Sequence, residues 1–394
     1  MNVPRQSTGE HTMDKRVIIV PCNSYQSDEI KKSTFDMFNK LGGLDQFIRP
    51  GQKVLLKVNL LMKKPPEAGV TTHPALVEAV VNQVQALGAK VIIADSPGGP
   101  FTKNWLNGIY RETGMKAISN RTGAQLNWNF QQQDFPFLEG NILKQVTLAQ
   151  AVKDVDVVIS IAKLKTHGFT IYTGAVKNLF GTVPGLLKAD YHLRMSDVRD
   201  FSNMLVDITE FVKPQISIMD AVIAMEGAGP SAGDLKQVGF LGASTNPHAL
   251  DLAFSHHIGL EPGRVFTLMK AIERNLIPDS FKELDIQGFD KDEFNPIPFK
   301  VPATSRSRHI PLHLPPALDR ILYNMMRPSP HFIHEKCVGC GLCAQNCPAK
   351  CIEMIEQRPY VELSKCIRCF CCQELCPYQA VAIKRNKLSK IIFK

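Results

Sequence analysis

No run of the 394 residues is long and apolar enough to span a bilayer, and Met1 to Arg16 lack the apolar centre of a secretory signal. Through the first 336 residues Cys22 is the sole cysteine, which excludes a disulfide framework there and suits a reducing compartment. HExxH, GxSxG, Walker and complete GxGxxG patterns are all missing. The usual signals of a zincin, a serine hydrolase, a P-loop enzyme and a dinucleotide enzyme are therefore absent. Aromatics make up 8% of the chain and are not interleaved with basic residues, so no nucleic acid partner is expected. These absences lead to the expectation of a cytoplasmic chain without a transmembrane segment.

What is present is ordinary for a globular protein: 44% hydrophobic and 21% charged residues, at a length that suggests two or three domains. A polar lead over 1–15 reads as disordered. Apolar runs over 17–20, 54–61, 91–94, 155–161, 216–219 and 238–241 read as strands. Helical spacing over 27–41, 73–87, 103–118, 196–212 and 246–258 alternates with them, with Thr72 and Ser196 as expected N-caps. The stretch 123–150 reads as short strands and loops. Alternation of this kind predicts an α/β domain over 16–295, an open and mainly parallel sheet with helices on both faces. A proline-rich linker over 296–330, with a short amphipathic helix at 317–326, then leads to a small α+β domain over 331–394 that ends in a basic tail.

The apolar run over 155–161 continues directly into Lys163-Leu-Lys165-Thr-His167-Gly168. If the backbone stays extended, period two sets Lys163, Lys165 and His167 on one face. Open α/β sheets bind ligands at the carboxyl ends of their strands, and Asp220 ends the run over 216–219. Lys163, Lys165, His167 and Asp220 are thus the candidate catalytic residues, with Asn59, Asp95 and Glu226 at other strand ends. The ammonium groups could hold the carboxylate or phosphate of an anionic small-molecule substrate, and His167 could serve as general acid or base. Asp95, Asp220 and Glu226 could orient His167 or, with it, bind a divalent metal. A solvated loop with ordinary surface lysines is the alternative. Near Thr173-Gly174 a short helix could turn its N-terminus toward an anion.

Ten of the eleven cysteines follow residue 336. They spell Cys337-x₂-Cys340-x₂-Cys343-x₃-Cys347-Pro348 and then Cys366-x₂-Cys369-x₂-Cys372-x₃-Cys376-Pro377. Three thiolates at intervals of three can wrap one cubane, whose irons each need a soft ligand, and the prolines stop the loops. Two zinc sites are the alternative soft-ligand reading, though this spacing is cubane-like. The stretch 331–385 resembles the bacterial two-cluster ferredoxin module. The resemblance implies two [4Fe-4S] clusters, one on Cys337, Cys340, Cys343 and Cys376, the other on Cys366, Cys369, Cys372 and Cys347. Cys351 aligns with Ala380 and reads as packing, while Cys371, inside the second loop, reads as filler or as a reactive thiol. The formal charge of +9 lies beyond residue 299. It compensates clusters of about −2 each and could guide an acidic redox partner protein.

Residues 15–260 carry a second resemblance. Lys163-Leu-Lys-Thr-His167, Gly174-Ala-Val-Lys-Asn-Leu-Phe-Gly181 and Asp220-Ala-Val-Ile-Ala-Met-Glu-Gly227 are similar to the domain-of-unknown-function family 362, as are His73-Pro74 and Asp95-Ser-Pro-Gly98. The resemblance implies an α/β domain, often followed by a two-cluster ferredoxin module. Three functions stay open. The leading one is an iron–sulfur oxidoreductase whose α/β domain binds an anionic substrate or cofactor. The others are an electron carrier whose α/β domain docks a partner, and a non-redox enzyme with structural clusters.

Overall fold

The computed structural model describes residues 13–302 and 328–384. The start of the expected lead, most of the proline-rich linker with its short helix, and the tail beyond Lys384 lie outside the described residues. In chain order, β1 (Arg16–Pro21), α1 (Ser27–Leu41), β2 (Lys53–Lys57), α2 (Pro74–Ala86) and β3 (Lys90–Ala94) come first. They are followed by α3 (Lys103–Glu112), α4 (Met115–Thr122), β4 (Gln125–Leu126), β5 (Gln132–Pro136), β6 (Gln145–Ala149), β7 (Val157–His167) and β8 (Ile171–Thr173). After these come α5 (Ala175–Asn178), α6 (Leu187–Arg194), α7 (Val198–Val212), β9 (Ile216–Glu226), β10 (Asp234–Ser244), α8 (Pro247–His257), α9 (Phe266–Glu273) and β11 (Asp285–Gln287).

The main sheet runs β11-β1-β10-β9-β7-β2-β3-β4, with β8 folded back onto the end of β7. Its centre is parallel: β7 pairs with β2 and β9, β2 with β3, and β3 with β4. β10 runs against its neighbours β1 and β9, and the short β8 against β7. The chain therefore has the mainly parallel, doubly covered sheet that its alternating pattern predicts. On one face Val157, Ile159 and Ile161 of β7 meet Val77, Val80 and Leu106 of the early helices. On the other, Val158, Ala162 and Leu164 meet Phe201, Leu205 and Phe254 of the later ones. All eleven residues of β7 are buried, which is why it reads as an unbroken apolar run that turns charged only at its end.

Several expected boundaries move. The helix over 103–118 is two helices, because Gly114 takes φ 80° between them. His73 rather than Thr72 caps α2, its Nδ1 accepting from Ala75 N at 3.2 Å. Asp197 rather than Ser196 caps α7. The run over 54–61 leaves the sheet after Lys57, whereas β9 and β10 extend well past their apolar runs by pairing with each other.

The C-terminal unit is small. β12 (Ser329–Phe332) pairs antiparallel with β15 (Val381–Lys384), and β13 (Ile352–Ile355) with β14 (Arg358–Val361). The two cysteine loops lie between these pairs, each with one helical turn, at Leu342–Gln345 and Cys371–Glu374. The unit rests on the α/β domain through its second loop. Phe370 is buried in the later-helix core, with Ile383 packed beside it. Gln373 Nε2 donates to Ala228 O (2.8 Å), Ser231 Oγ to Glu374 O (2.8 Å), and Lys64 Nζ to Pro377 O (2.8 Å).

Candidate functional site

Each parallel strand at the sheet's centre ends in a buried charge. Lys57, the last residue of β2, pairs with Asp95 just beyond β3 at 3.0 Å, and both are nearly inaccessible. Lys57 also donates to Asn178 Oδ1 (2.9 Å) and Val58 O (2.6 Å), and Asp95 accepts from Leu60 N (2.8 Å). Lys163 of β7 pairs with Asp220 of β9 at 3.1 Å and donates to the Tyr25 hydroxyl at 2.7 Å. The Tyr25 hydroxyl donates to the other Asp220 oxygen at 2.6 Å, and His73 N donates to that carboxylate at 3.0 Å. Lys165 is held by Asn59 Oδ1 (2.7 Å) and Val70 O (2.6 Å). Burial lowers the pKa of all three lysines. For Lys165, which has no carboxylate against it and has Lys177 nearby, the fall reaches about 7. Removing one partner of such a pair costs about 3–5 kcal/mol, because the other charge is left buried.

Glycine keeps these pairs possible at one point. A Cβ on Gly181 would run into both Asp95 Oδ1 and Lys57 Nζ.

Above the Lys57–Asp95 pair lies a cleft of about 720 Å³, part of it open to solvent. The α/β domain contributes Lys57, Asn59, Asp95, Ser96, Lys177, Asn178, Lys188 and His192. Apolar surface comes from Leu61, Phe180 and Leu186. The opposite wall belongs to the C-terminal unit: Asn346, Cys371, Glu374 and Leu375. Lys177 has no ion-pair partner among the described residues. Lys188 Nζ donates to Ser96 Oγ (2.9 Å) and Val183 O (2.8 Å). His192 is buried, its ring stacked on Phe201 at 4.2 Å, and burial pushes its pKa down to about 3, so it is a neutral imidazole.

Of the four residues predicted to react, none lines the cleft. Lys163 and Asp220 are saturated by each other, Tyr25 and His73, while Lys165 supports Asn59 from behind. His167 faces the C-terminal unit instead. Its Nδ1 accepts from Phe169 N (2.9 Å) and Thr170 N (3.3 Å), which leaves the hydrogen on Nε2, 3.2 Å from Glu374 Oε2. Burial, then Lys177, lowers His167 to about 4, so it donates as a neutral ring. Burial raises the Glu374 pKa, but Lys177 and then His167 outweigh it and hold the carboxyl well below the usual range.

Asn59 and Asp95 do reach the cleft. Glu226 does not: it accepts from Lys300 N at 2.9 Å and anchors the chain leaving the α/β domain. Among the described residues no three His, Cys, Asp or Glu side chains are grouped to hold a single metal ion. The helix N-terminus near Gly174 is taken by the chain's own Asp251, whose carboxyl accepts from Ala175 N (2.6 Å) and Val176 N (3.0 Å). Sequence reasoning assigned no role in the site to Lys57, Ser96, Lys177, Lys188 or His192. A lysine inside the apolar run Val54-Leu-Leu-Lys57-Val was the available signal, since an unpaired charge is not buried there.

The cysteines bound two further cavities in the C-terminal unit. One is lined by Cys337, Cys340, Cys343 and Cys376, the other by Cys366, Cys369, Cys372 and Cys347. Each cavity thus offers four thiols amid apolar walls, a donor set that fits a four-iron cubane. Cys351 joins the second cavity, its Sγ 3.6 Å from that of Cys347.

Comparison with known proteins agrees with these two parts. The family described as "Domain of unknown function (DUF362)" matches residues 54–256, and a "4Fe-4S dicluster domain" matches residues 336–380. The thylakoid-associated protein sll1697 of Synechocystis sp. is 31% identical over 315 residues, which span 75% of this chain and 94% of that protein. Among solved structures, the lactate racemase apoprotein of Thermoanaerobacterium thermosaccharolyticum is 11% identical with a TM-score of 0.38, covering 60% of this chain and 56% of that one. A Thermotoga maritima protein is 13% identical with a TM-score of 0.33, covering 52% of each chain. The chain therefore spans only about half the length of the solved structures it matches. No helix among the described residues is long and apolar enough to cross a membrane.

Proposed function

The chain belongs to the DUF362 family and carries a 4Fe-4S dicluster domain, and from that premise we propose that it is an iron–sulfur oxidoreductase. Two [4Fe-4S] clusters pass single electrons to or from an anionic ligand held in the cleft. One observation carries the reading: Cys371, Glu374 and Leu375, within the second cysteine run, form the wall of the cleft that faces Lys177 and Lys188. A cubane on Cys366, Cys369, Cys372 and Cys347 supplies one-electron chemistry at that wall. The chain's own groups do the rest. Lys177, which makes no close ion pair among the described residues although its charge reaches Glu374 across the cleft, attracts a carboxylate or phosphate, and Leu61, Phe180 and Leu186 shed water from the remainder of the ligand. The buried Lys–Asp pairs below keep the strand ends rigid, so the ligand is presented at a fixed distance from the cysteine loop.

The first cage suits the other end of the path. Cys340 is exposed, and beside it Val338 and Tyr378 present apolar surface, which favours a redox partner protein docking there. The thylakoid association in the relative's name is compatible with a donor held at a membrane surface, met by a chain that itself needs a reducing compartment.

The test is anaerobic reconstitution with iron and sulfide, reduction by dithionite, and EPR in the presence of acetate, benzoate or inorganic phosphate. Expected are two reduced-cluster signals, one of them altered by the anion, and loss of that response in Lys177→Gln. A folded protein without any reduced-cluster signal sinks the reading. Signals that no anion touches favour the carrier.

A further inference from the structure

A ligand reduced in a partly apolar cleft accumulates negative charge unless a proton accompanies each electron. We infer that Lys188, hydrogen-bonded to Ser96, is the group that takes up and returns that proton. The inference rests on the redox reading above.

The geometry is that of a relay between solvent and the cleft floor. Lys188, on α6, lines the cleft, and the cleft opens in part to solvent, which is its route to water. Ser96 is buried just beyond β3, and its Oγ accepts from both Lys188 Nζ (2.9 Å) and Gly185 N (2.8 Å). With both lone pairs engaged, the hydroxyl hydrogen is uncommitted and available to a ligand in the cleft. The other candidates are occupied or mismatched. Lys57 is committed to Asp95, Asn178 and Val58, and His192 is held neutral by burial.

Burial also lowers Lys188, to about 7. Asp95 beyond β3 and Glu374 across the cleft pull it up, while Lys57 of β2 and Lys177 of α5 push it down; Asp190 and Arg194, on its own helix, pair with each other. An ammonium poised there changes protonation when a single negative charge arrives nearby.

The balance is as follows. An electron reaches the second cage from a one-electron donor protein docked at the first. Lys188 Nζ, as free amine, takes a proton from bulk water and an N–H bond forms, so no net charge is added beside the cleft. When the electron moves on to the ligand, that N–H bond breaks. Ser96 Oγ accepts the proton and gives its own to the reduced atom of the ligand, which leaves Lys188 as the amine again.

The linkage is measurable without knowing the ligand. EPR-monitored potentiometric titration of the full, reconstituted chain is run from about pH 6 to about pH 9. The potential of one cluster is expected to fall as pH rises above about 7, by up to tenfold in the reduction equilibrium per pH unit, or about 59 mV for one electron. Lys188→Arg keeps the charge but cannot release a proton, and flattens the slope. Lys188→Met flattens it at a lower potential. Potentials independent of pH in the native protein, or a slope that survives both substitutions, overturn the inference alone. Absence of any reducible cluster overturns the redox reading and this inference with it.

Discussion

Cys340 in the first cysteine run and Cys369 in the second hold the same place in the spacing, yet one is exposed and the other buried. The difference extends to most of each cage, Cys366 of the second being only partly buried. None of Cys337, Cys340, Cys343 and Cys376 is buried, whereas Cys347, Cys369 and Cys372 all are. Two positions in the loops account for it. Where the first run has Gly339 and Gly341, both at positive φ, the second has Arg368 and Phe370 in the same left-handed region. A bulky residue there costs about 1–2 kcal/mol in backbone strain. Phe370 returns more than that by burying its ring in the core of the α/β domain, beside Ile383, whose Cδ1 a Cβ on Gly168 would run into. One loop is therefore open to solvent, and the other lies against the α/β domain and lines the cleft.

The sharpest way to break the contrast is to remove one cage at a time. Cys369→Ser should abolish the cleft-side cluster and loosen the docked unit, because metal binding and local folding are coupled. Cys340→Ser should remove only the solvent-side cluster. Iron analysis should give about four atoms fewer in each, while the anion-sensitive EPR signal should vanish only in Cys369→Ser. Next in size is Phe370→Gly, which makes the second loop resemble the first. Losing a buried phenyl outweighs the strain relieved, for a net loss of about 2–4 kcal/mol. Hydrogen exchange at Ala228 and Ser231, which hold Gln373 and Glu374, should rise with it. Unchanged exchange would mean that Phe370 is not the anchor.

The covered side is also where pH should act. Lys165 sits at about 7 in the folded chain against an ordinary 10.5, so the unfolded chain binds more protons between those values. Stability therefore rises with pH from about 7 to about 10.5, by at most about 1.4 kcal/mol per pH unit for this group. Lys165→Met should remove that contribution from a urea-unfolding series. The smallest stability effect belongs to the open side. Val338→Asp should change stability by no more than about 0.5 kcal/mol, since the side chain is exposed. It should nonetheless slow reduction by a protein donor, measured by stopped-flow absorbance, while leaving reduction by dithionite unaltered.

Much of the architecture was legible from local pattern. A strand buried on both faces, as β7 is, must be apolar throughout, and a cubane needs thiolates at short, regular intervals. The candidate site was legible only in part. Period two correctly separates Lys163 and Lys165 from their neighbours, but says nothing of what each meets. Lys163 found Asp220 and Tyr25, and Lys165 found Asn59, so both became supports. The cleft belongs instead to Lys177, Lys188, Ser96 and His192, whose approach depends on how α5 and α6 fold back over the strand ends.

By itself, then, the sequence determined the doubly covered sheet, the two four-cysteine runs and the strand ends as the place of charge, because each follows from spacing along one segment. Tertiary structure alone decided which cage is covered and which lysines stay available. It set Glu374 beside His167 and Cys371 across from Lys177, pairs separated by about half the chain. Contacts of that range carry no periodic signature. They arise when an anchor such as Phe370 finds a core with room for it.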